Sequence, residues 1–100
     1  MTPAESASLQ QRAEALEKQA HSLADPREEA RVLSELGRVR LSLGDGEQAL
    51  LALARALFLA PDNAATIVNG LRGALAREVL EELKVDAPAA ARSAIERALE

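Results

Sequence analysis

The sequence predicts an all-α protein built as a stack of antiparallel helical hairpins. Its 22 alanines and 17 leucines dominate, whereas there are only five valines, two isoleucines and two threonines. Aliphatic residues without a branch at Cβ favour helix, and a scarcity of β-branched residues disfavours strands. Capping residues, prolines and glycines also divide the 100 residues into five segments of helical length, which we expect to form one domain.

The first two helices begin with the same three signals. Residues 2–5 (TPAE) and 25–28 (DPRE) each place a proline directly after a capping side chain and a glutamate three residues after the cap. Such side chains bond the free amides of a first helical turn, where proline is tolerated. We expect helices over residues 3–24 and 26–43, with Gly44 ending the second.

Similar signals mark three further helices. Asp45 with Gln48 begins the third helix and Pro61 ends it, while Asn63 and Pro88 stand at the other two starts. The expected ranges are 46–59, 63–84 and 87–99. The loops between them are short, so neighbouring helices should run antiparallel.

The fourth predicted helix contains Gly70 and Gly73 in its interior. Each would cost up to ~1 kcal/mol relative to alanine in a helix. We expect this cost to reflect close packing, with the fifth helix or a partner helix lying against Gly70, Gly73 and Ala74.

Residues 30–63 carry the spacing of a known helical repeat. The matching positions are Leu33, Leu36, Gly37, Gly44, Asp45, Ala49, Leu50, Leu53, Ala56, Leu57, Pro61, Asp62 and Asn63. Through these residues the segment resembles a tetratricopeptide repeat, a hairpin of about 34 residues used in protein recognition. Residues 64–100 resemble a degenerate second repeat.

The resemblance implies a right-handed stack, with a hairpin over residues 26–61 and a degenerate hairpin with an elongated first helix over residues 62–100. Gly37 and Ala49 would lie where the first two helices of the repeat touch, since small side chains allow close approach. Arg40 stands where the family often has a large aromatic residue. The core should therefore be thinner than is usual in the family.

The first helix, within residues 1–24, has a narrow apolar stripe and lies outside the repeats. Its residues are Leu9, Ala13, Leu16, Ala20 and Leu23. One interpretation is that this helix caps the exposed end of the stack. The other is that the stripe docks onto a second copy or onto another protein.

Composition excludes several functions. A net charge of −4 disfavours nucleic-acid binding, and no segment is apolar and long enough to enter a membrane. With no cysteine and only His21, a metal site or a thiol nucleophile is not expected. The carboxylates mostly have basic neighbours one helical turn away, so we expect no enzyme activity and no cofactor. We also expect a cytoplasmic location.

The resemblance implies a binding groove on the concave side, lined by the first helix of each hairpin. The positions facing it are Arg31, Ser34, Arg38, Leu41, Ala65, Val68, Asn69 and Arg72. Arg72 and Arg40 have no acidic residue three or four positions away, so such arginines could hold the carboxylates of an acidic or C-terminal peptide. The competing interpretation is solvated charge or a packing role.

The sequence therefore predicts a non-catalytic adaptor that binds a partner protein or peptide. A structural subunit held permanently in a larger complex is the alternative, and an enzyme regulator is a third possibility. Since fewer than three repeats are seldom stable alone, we also expect self-association or residence in an assembly.

Overall fold

Six α-helices and one short 3₁₀ turn form the protein, without any β-strand. The computed structural model describes all 100 residues. The helices are α1 (Pro3–Ser22), α2 (Pro26–Ser42), α3 (Gly46–Leu59), α4 (Ala64–Val68), α5 (Ala74–Asp86) and α6 (Ala89–Leu99), and the 3₁₀ turn Pro61–Asn63 precedes α4. The predicted all-α class is confirmed.

The first three helices begin where the capping signals predicted. The Glu5 amide donates to Thr2 Oγ1 at 3.2 Å, and the Gln48 amide donates to Asp45 Oδ1 at 3.1 Å. At α2 the Asp25 carboxylate accepts from the amide two residues later, at 3.0 Å. Each bond satisfies an amide that has no partner inside its helix.

Helix α1 packs its apolar stripe onto α2 of the same chain. Ala13, Leu16 and Ala20 are buried, and they join a cluster with Val32, Leu36, Val39 and Ala52. The stripe thus covers the outer side of α2, as the capping interpretation expected, and its buried residues are not available to a second protein.

Helices α2 and α3 approach closely at Gly37. A Cβ atom on Gly37 would lie 2.6 Å from Leu53 Cγ, well inside van der Waals contact. Leu53 and Ala49 are completely buried. Small residues were predicted at this contact because they let two helices approach closely. The structure shows the same reason, since only a glycine at position 37 leaves space for Leu53.

The predicted single helix over residues 63–84 is wrong, because the chain leaves the helical path between α4 and α5. Gly70 has φ +80° and Gly73 has φ +101° with ψ 169°. These conformations suit glycine and strain other residues. The close packing expected at Gly73 is also absent, since a Cβ there would meet nothing within 4 Å.

The break lets α4 and α5 follow separate directions while both pack on α6. Helix α4 packs on α6, and α5 packs on α3 as well as on α6. Helices α2 to α6 share a second cluster of 13 buried apolar residues. Its largest fully buried side chains are the aliphatic Leu53, Leu57, Leu80 and Ile95, whereas Phe58, the one aromatic residue, is 71% exposed.

No individual helix combines the length and apolar character needed to cross a bilayer. Helix α3 and the segment Pro61–Val68 meet the criteria of length and composition only when joined, across a bend of 113°.

Candidate functional site

Arg38, predicted to face a partner, bonds instead to the end of α4. Its Nη2 atom donates to the carbonyl oxygens of Thr66 at 3.2 Å and Ile67 at 3.1 Å. Carbonyls in the last turn of a helix have no partner inside it, and a positive charge there is favourable. Ser34, which is buried, also reaches the Ile67 carbonyl through its hydroxyl at 3.5 Å. These two side chains therefore fasten α4 to α2.

Arg31 lies nearby in a depression of about 260 Å³ between α2 and α4. The surrounding charges are already paired. Arg31 bonds Glu28 on its own helix at 3.0 Å, and Arg27 bonds Asp62 at 2.6 Å. Only this small part of the predicted groove is concave, and the positive charges around it are offset by paired carboxylates.

The other predicted residues are dispersed. Leu41 is half-buried against the larger core cluster, and Val68 is itself buried in that cluster. Asn69 is exposed and, with Val68 and Ala65, lines a depression of about 440 Å³ against α6. Arg72 is exposed in the loop between α4 and α5 and has no acidic group within 4.0 Å. The structure does not gather the predicted residues around one groove.

Arg40 has a partner that sequence spacing did not reveal. Its side chain is only 11% exposed, and Nη2 lies 3.8 Å from Glu17 Oε2 on α1. The arginine therefore joins α2 to α1, at a position where the resemblance implied an aromatic residue.

A larger depression lies on the opposite side of α3, between α3 and α5. Two adjoining hollows of about 670 and 570 Å³ share Leu50 and Glu82, and we name them together the α3–α5 groove. Its apolar lining consists of Leu50, Leu51, Ala54, Leu57, Phe58, Leu75, Val79, Leu83, Val85, Ala87 and Pro88.

The two helices that flank the α3–α5 groove run in the same direction. At one end Gly46 lies so near Leu75 that a Cβ on the glycine would be 2.8 Å from Leu75 Cδ1. At the other end Phe58 shares a hollow with Leu83 and Pro88. The groove therefore follows most of the 14-residue length of α3, about 20 Å.

Large apolar side chains are exposed along this groove. Leu51 is 59% exposed, Phe58 71% and Val85 74%, and only Met1 among the other large apolar residues is comparably exposed. Isolated exposed apolar residues are common, but several around one depression indicate an interaction surface.

The charged residues of the groove are all acidic. Glu47, Glu78, Glu81, Glu82 and Asp86 line it, and no basic residue does. Glu81 lies 3.7 Å from Arg77, whereas the other four carboxylates have no basic group within 4.0 Å. The depression between α1, α2 and α3 differs, since Arg40 and Arg55 within it are paired with glutamates.

No group of three or more His, Cys, Asp or Glu residues is arranged to hold a metal ion. The Nδ1 atom of the exposed His21 lies 2.8 Å from the Glu17 carbonyl of its own helix, and no buried polar side-chain atom lacks a hydrogen-bond partner.

Comparisons with family models, with curated proteins and with solved structures found no match to this chain.

Sequence reasoning missed the α3–α5 groove although a signal was present. The buried side of α3 is formed by Ala49, Ala52, Leu53, Ala56 and Leu57. Its opposite side carries Leu50, Leu51, Ala54 and Phe58, and only Glu47 and Arg55 in the helix are charged. A helix that is apolar all round is expected to be covered on all sides.

Proposed function

We propose that this protein is a non-catalytic protein-interaction module of the tetratricopeptide-like kind, and that its main binding surface is the α3–α5 groove. One observation carries the proposal. The chain's one aromatic residue, Phe58, is 71% exposed beside the similarly exposed Leu51, while the core is filled by aliphatic side chains.

Energetics favour a partner over permanent exposure. Burying a large apolar side chain contributes about 1.5–3 kcal/mol, and aromatic residues are enriched among those that dominate binding energies. Phe58 stabilises the isolated chain little, because most of its surface lies in water. A partner that covers Phe58, Leu51 and Val85 would gain the free energy that folding leaves unused.

A second candidate surface is the side of the molecule that carries Arg38 and Arg72, which we name the arginine-bearing side. Arg72 is exposed and has no acidic group within 4.0 Å, and Asn69 beside it in the same loop is also exposed. A guanidinium in such a place can bind a peptide carboxylate through two parallel hydrogen bonds. On this side Arg38 and Ser34 would serve as supports for α4.

A permanent subunit of an assembly is the alternative function. The two functions differ in how the free chain behaves. An exchangeable adaptor is folded and monodisperse alone, whereas an obligate subunit self-associates or loses helix when it is isolated. Sedimentation over a hundredfold range of concentration, combined with circular dichroism, separates them.

The binding site can be tested with a displayed library of helical and extended peptides. Peptides are selected on wild type alone, and the affinity of the selected peptides for the variant Leu51→Ser/Phe58→Ser is measured afterwards. Met1→Ser is the matched control, since Met1 is 68% exposed but lies outside the groove. We expect selected peptides to bind wild type and Met1→Ser and to lose at least about tenfold in affinity for the double variant.

Two results would count against the groove. If no peptide is selected, the protein is not an exchangeable interaction module of this kind. If selected peptides bind the double variant as tightly as wild type but lose their affinity for the Arg72→Ala variant, binding occurs on the arginine-bearing side.

A further inference from the structure

We propose that the α3–α5 groove binds an amphipathic helix of a partner protein whose apolar side is bordered by lysine or arginine. This proposal rests on the proposed function and specifies the chemistry of the partner. It follows from the shape, the apolar lining and the charge of the groove.

The shape of the groove suits a helix. Its floor lies between two helices that run in the same direction, and Leu51 and Phe58 on α3 are spaced by two helical turns. An amphipathic helix binds by laying its apolar face into an apolar groove, whereas strand addition requires a sheet edge, and this protein has no sheet. The groove length of about 20 Å corresponds to a partner helix of about 13 residues.

The apolar lining requires apolar anchors. Leu50 and Leu83 form part of the floor, while Leu51, Phe58 and Val85 project with more than half of their surface exposed. A helix with apolar residues at every third or fourth position would place them against these side chains.

The acidic charge of the groove favours a partner helix with basic residues beside its apolar side. Glu47, Glu78, Glu82 and Asp86 are exposed and unpaired within the chain, and no basic residue lies among them. An acidic partner would bring like charges together, which costs affinity, whereas a basic one would be attracted and oriented.

The same charges disfavour a second copy bound groove to groove. In a two-fold symmetric dimer each surface meets itself. Such a dimer would bring both sets of unpaired groove carboxylates together without any groove cation to balance them. The partner is therefore a different protein segment.

The decisive experiment measures the binding of three fluorescent 18-residue helical peptides to the full chain. The first has a leucine face bordered by lysine, the second has the same face bordered by glutamate, and the third has the composition of the first in scrambled order. We expect the lysine-bordered peptide to bind more than about tenfold tighter than either of the others. Its affinity should fall when the salt concentration rises from about 0.05 M to 0.5 M.

Charge variants locate the interaction. Glu82→Gln/Asp86→Asn should weaken the lysine-bordered peptide by about threefold to tenfold and leave the weak binding of the glutamate-bordered peptide unchanged or improved. Glu96→Gln is the matched control, because Glu96 is exposed on α6 and outside the groove. Phe58→Ser should weaken the binding of the lysine-bordered peptide at both salt concentrations.

The outcomes separate this inference from the proposed function. If the lysine-bordered and glutamate-bordered peptides bind equally and both are lost on Phe58→Ser, the groove is an interaction site but its partner is not basic. If none of the peptides binds at about 1 mM, the inference is overturned, and the library selection decides the proposed function independently. A dimer that Phe58→Ser dissociates would make a second copy the occupant and would also overturn it.

Discussion

The side of α2 that faces α4 and the side of α3 that faces α5 use their side chains in opposite ways. On the first, Arg38 and Ser34 bond to carbonyls of α4, and Arg31 and Arg27 are paired with carboxylates. On the second, large apolar groups and four carboxylates have no partner within the chain. Charged residues that look available in sequence can thus be engaged in the fold, and an apolar helix can be the open surface.

The largest expected effect concerns two neighbouring residues of α3, one buried in the core and one exposed in the α3–α5 groove. Leu57 is 1% exposed and Phe58 is 71% exposed. We expect Leu57→Ala to lower the free energy of unfolding by about 2–5 kcal/mol and Phe58→Ala to change it by less than about 0.5 kcal/mol. Urea denaturation of both variants measures this, and a similar loss for Phe58→Ala would mean that the α3–α5 groove is closed in the free protein.

Paired glycine substitutions compare the α2–α3 contact with the contact between α3 and α5. A Cβ at Gly37 would lie 2.6 Å from Cγ of the buried Leu53, whereas a Cβ at Gly46 would come closest to a terminal methyl of the half-buried Leu75, at 2.8 Å, with its other contacts at 3.6 Å or more. We expect Gly37→Ala to destabilise by up to about 3 kcal/mol and Gly46→Ala by less than about 0.5 kcal/mol. Thermal unfolding, monitored by circular dichroism, measures the destabilisation by each substitution. Equal destabilisation by the two would contradict the difference in packing.

Replacement of Gly73 tests the break that lets α5 reach α3. Its φ of +101° and ψ of 169° belong to a region that is nearly restricted to glycine. Gly73→Ala should cost about 2 kcal/mol. In a continuous helix over residues 63–84 the same change would stabilise by up to about 1 kcal/mol, so the sign of the shift in the denaturation midpoint distinguishes the two structures.

The smallest effect concerns the two arginines that sequence reasoning treated alike. Arg38→Ala should lower the free energy of unfolding by about 1.5 kcal/mol, because two α4 carbonyls lose a charged donor. Arg72→Ala, in an exposed loop position, should change it by less than about 0.5 kcal/mol. If both variants were neutral, the contact of Arg38 with α4 would not stabilise the fold, and Arg38 would again be a candidate for partner binding.

Local signals predicted the features that depend on adjacent residues. Thr2, Asp25 and Asp45 cap helices at the expected starts, because capping involves only residues within one helical turn. The stripe on α1 was equally readable as a set of positions, but both a cap and a partner site remained compatible with it. In the structure the stripe lies against α2 of the same chain.

The break at residues 69–73 shows the limit of periodicity. Ile67, Leu71 and Leu75 continue the apolar spacing of a helix across it. The dipeptide Asn69-Gly70 signals a turn, and this signal outweighs the spacing because Gly70 adopts a positive φ. Apolar spacing describes which side chains are buried, and it does not report a change of backbone direction.

By itself the sequence determined the helical class, most helix ends and the small residues at the α2–α3 contact. These depend on intrinsic preference, capping and side-chain volume, which are local properties. Only the tertiary structure decided that the other apolar side of α3 stays open and which arginines are engaged. Both depend on residues distant in the sequence, since Phe58 is left 71% exposed beside α5 and Arg38 bonds to carbonyls 28 and 29 residues away.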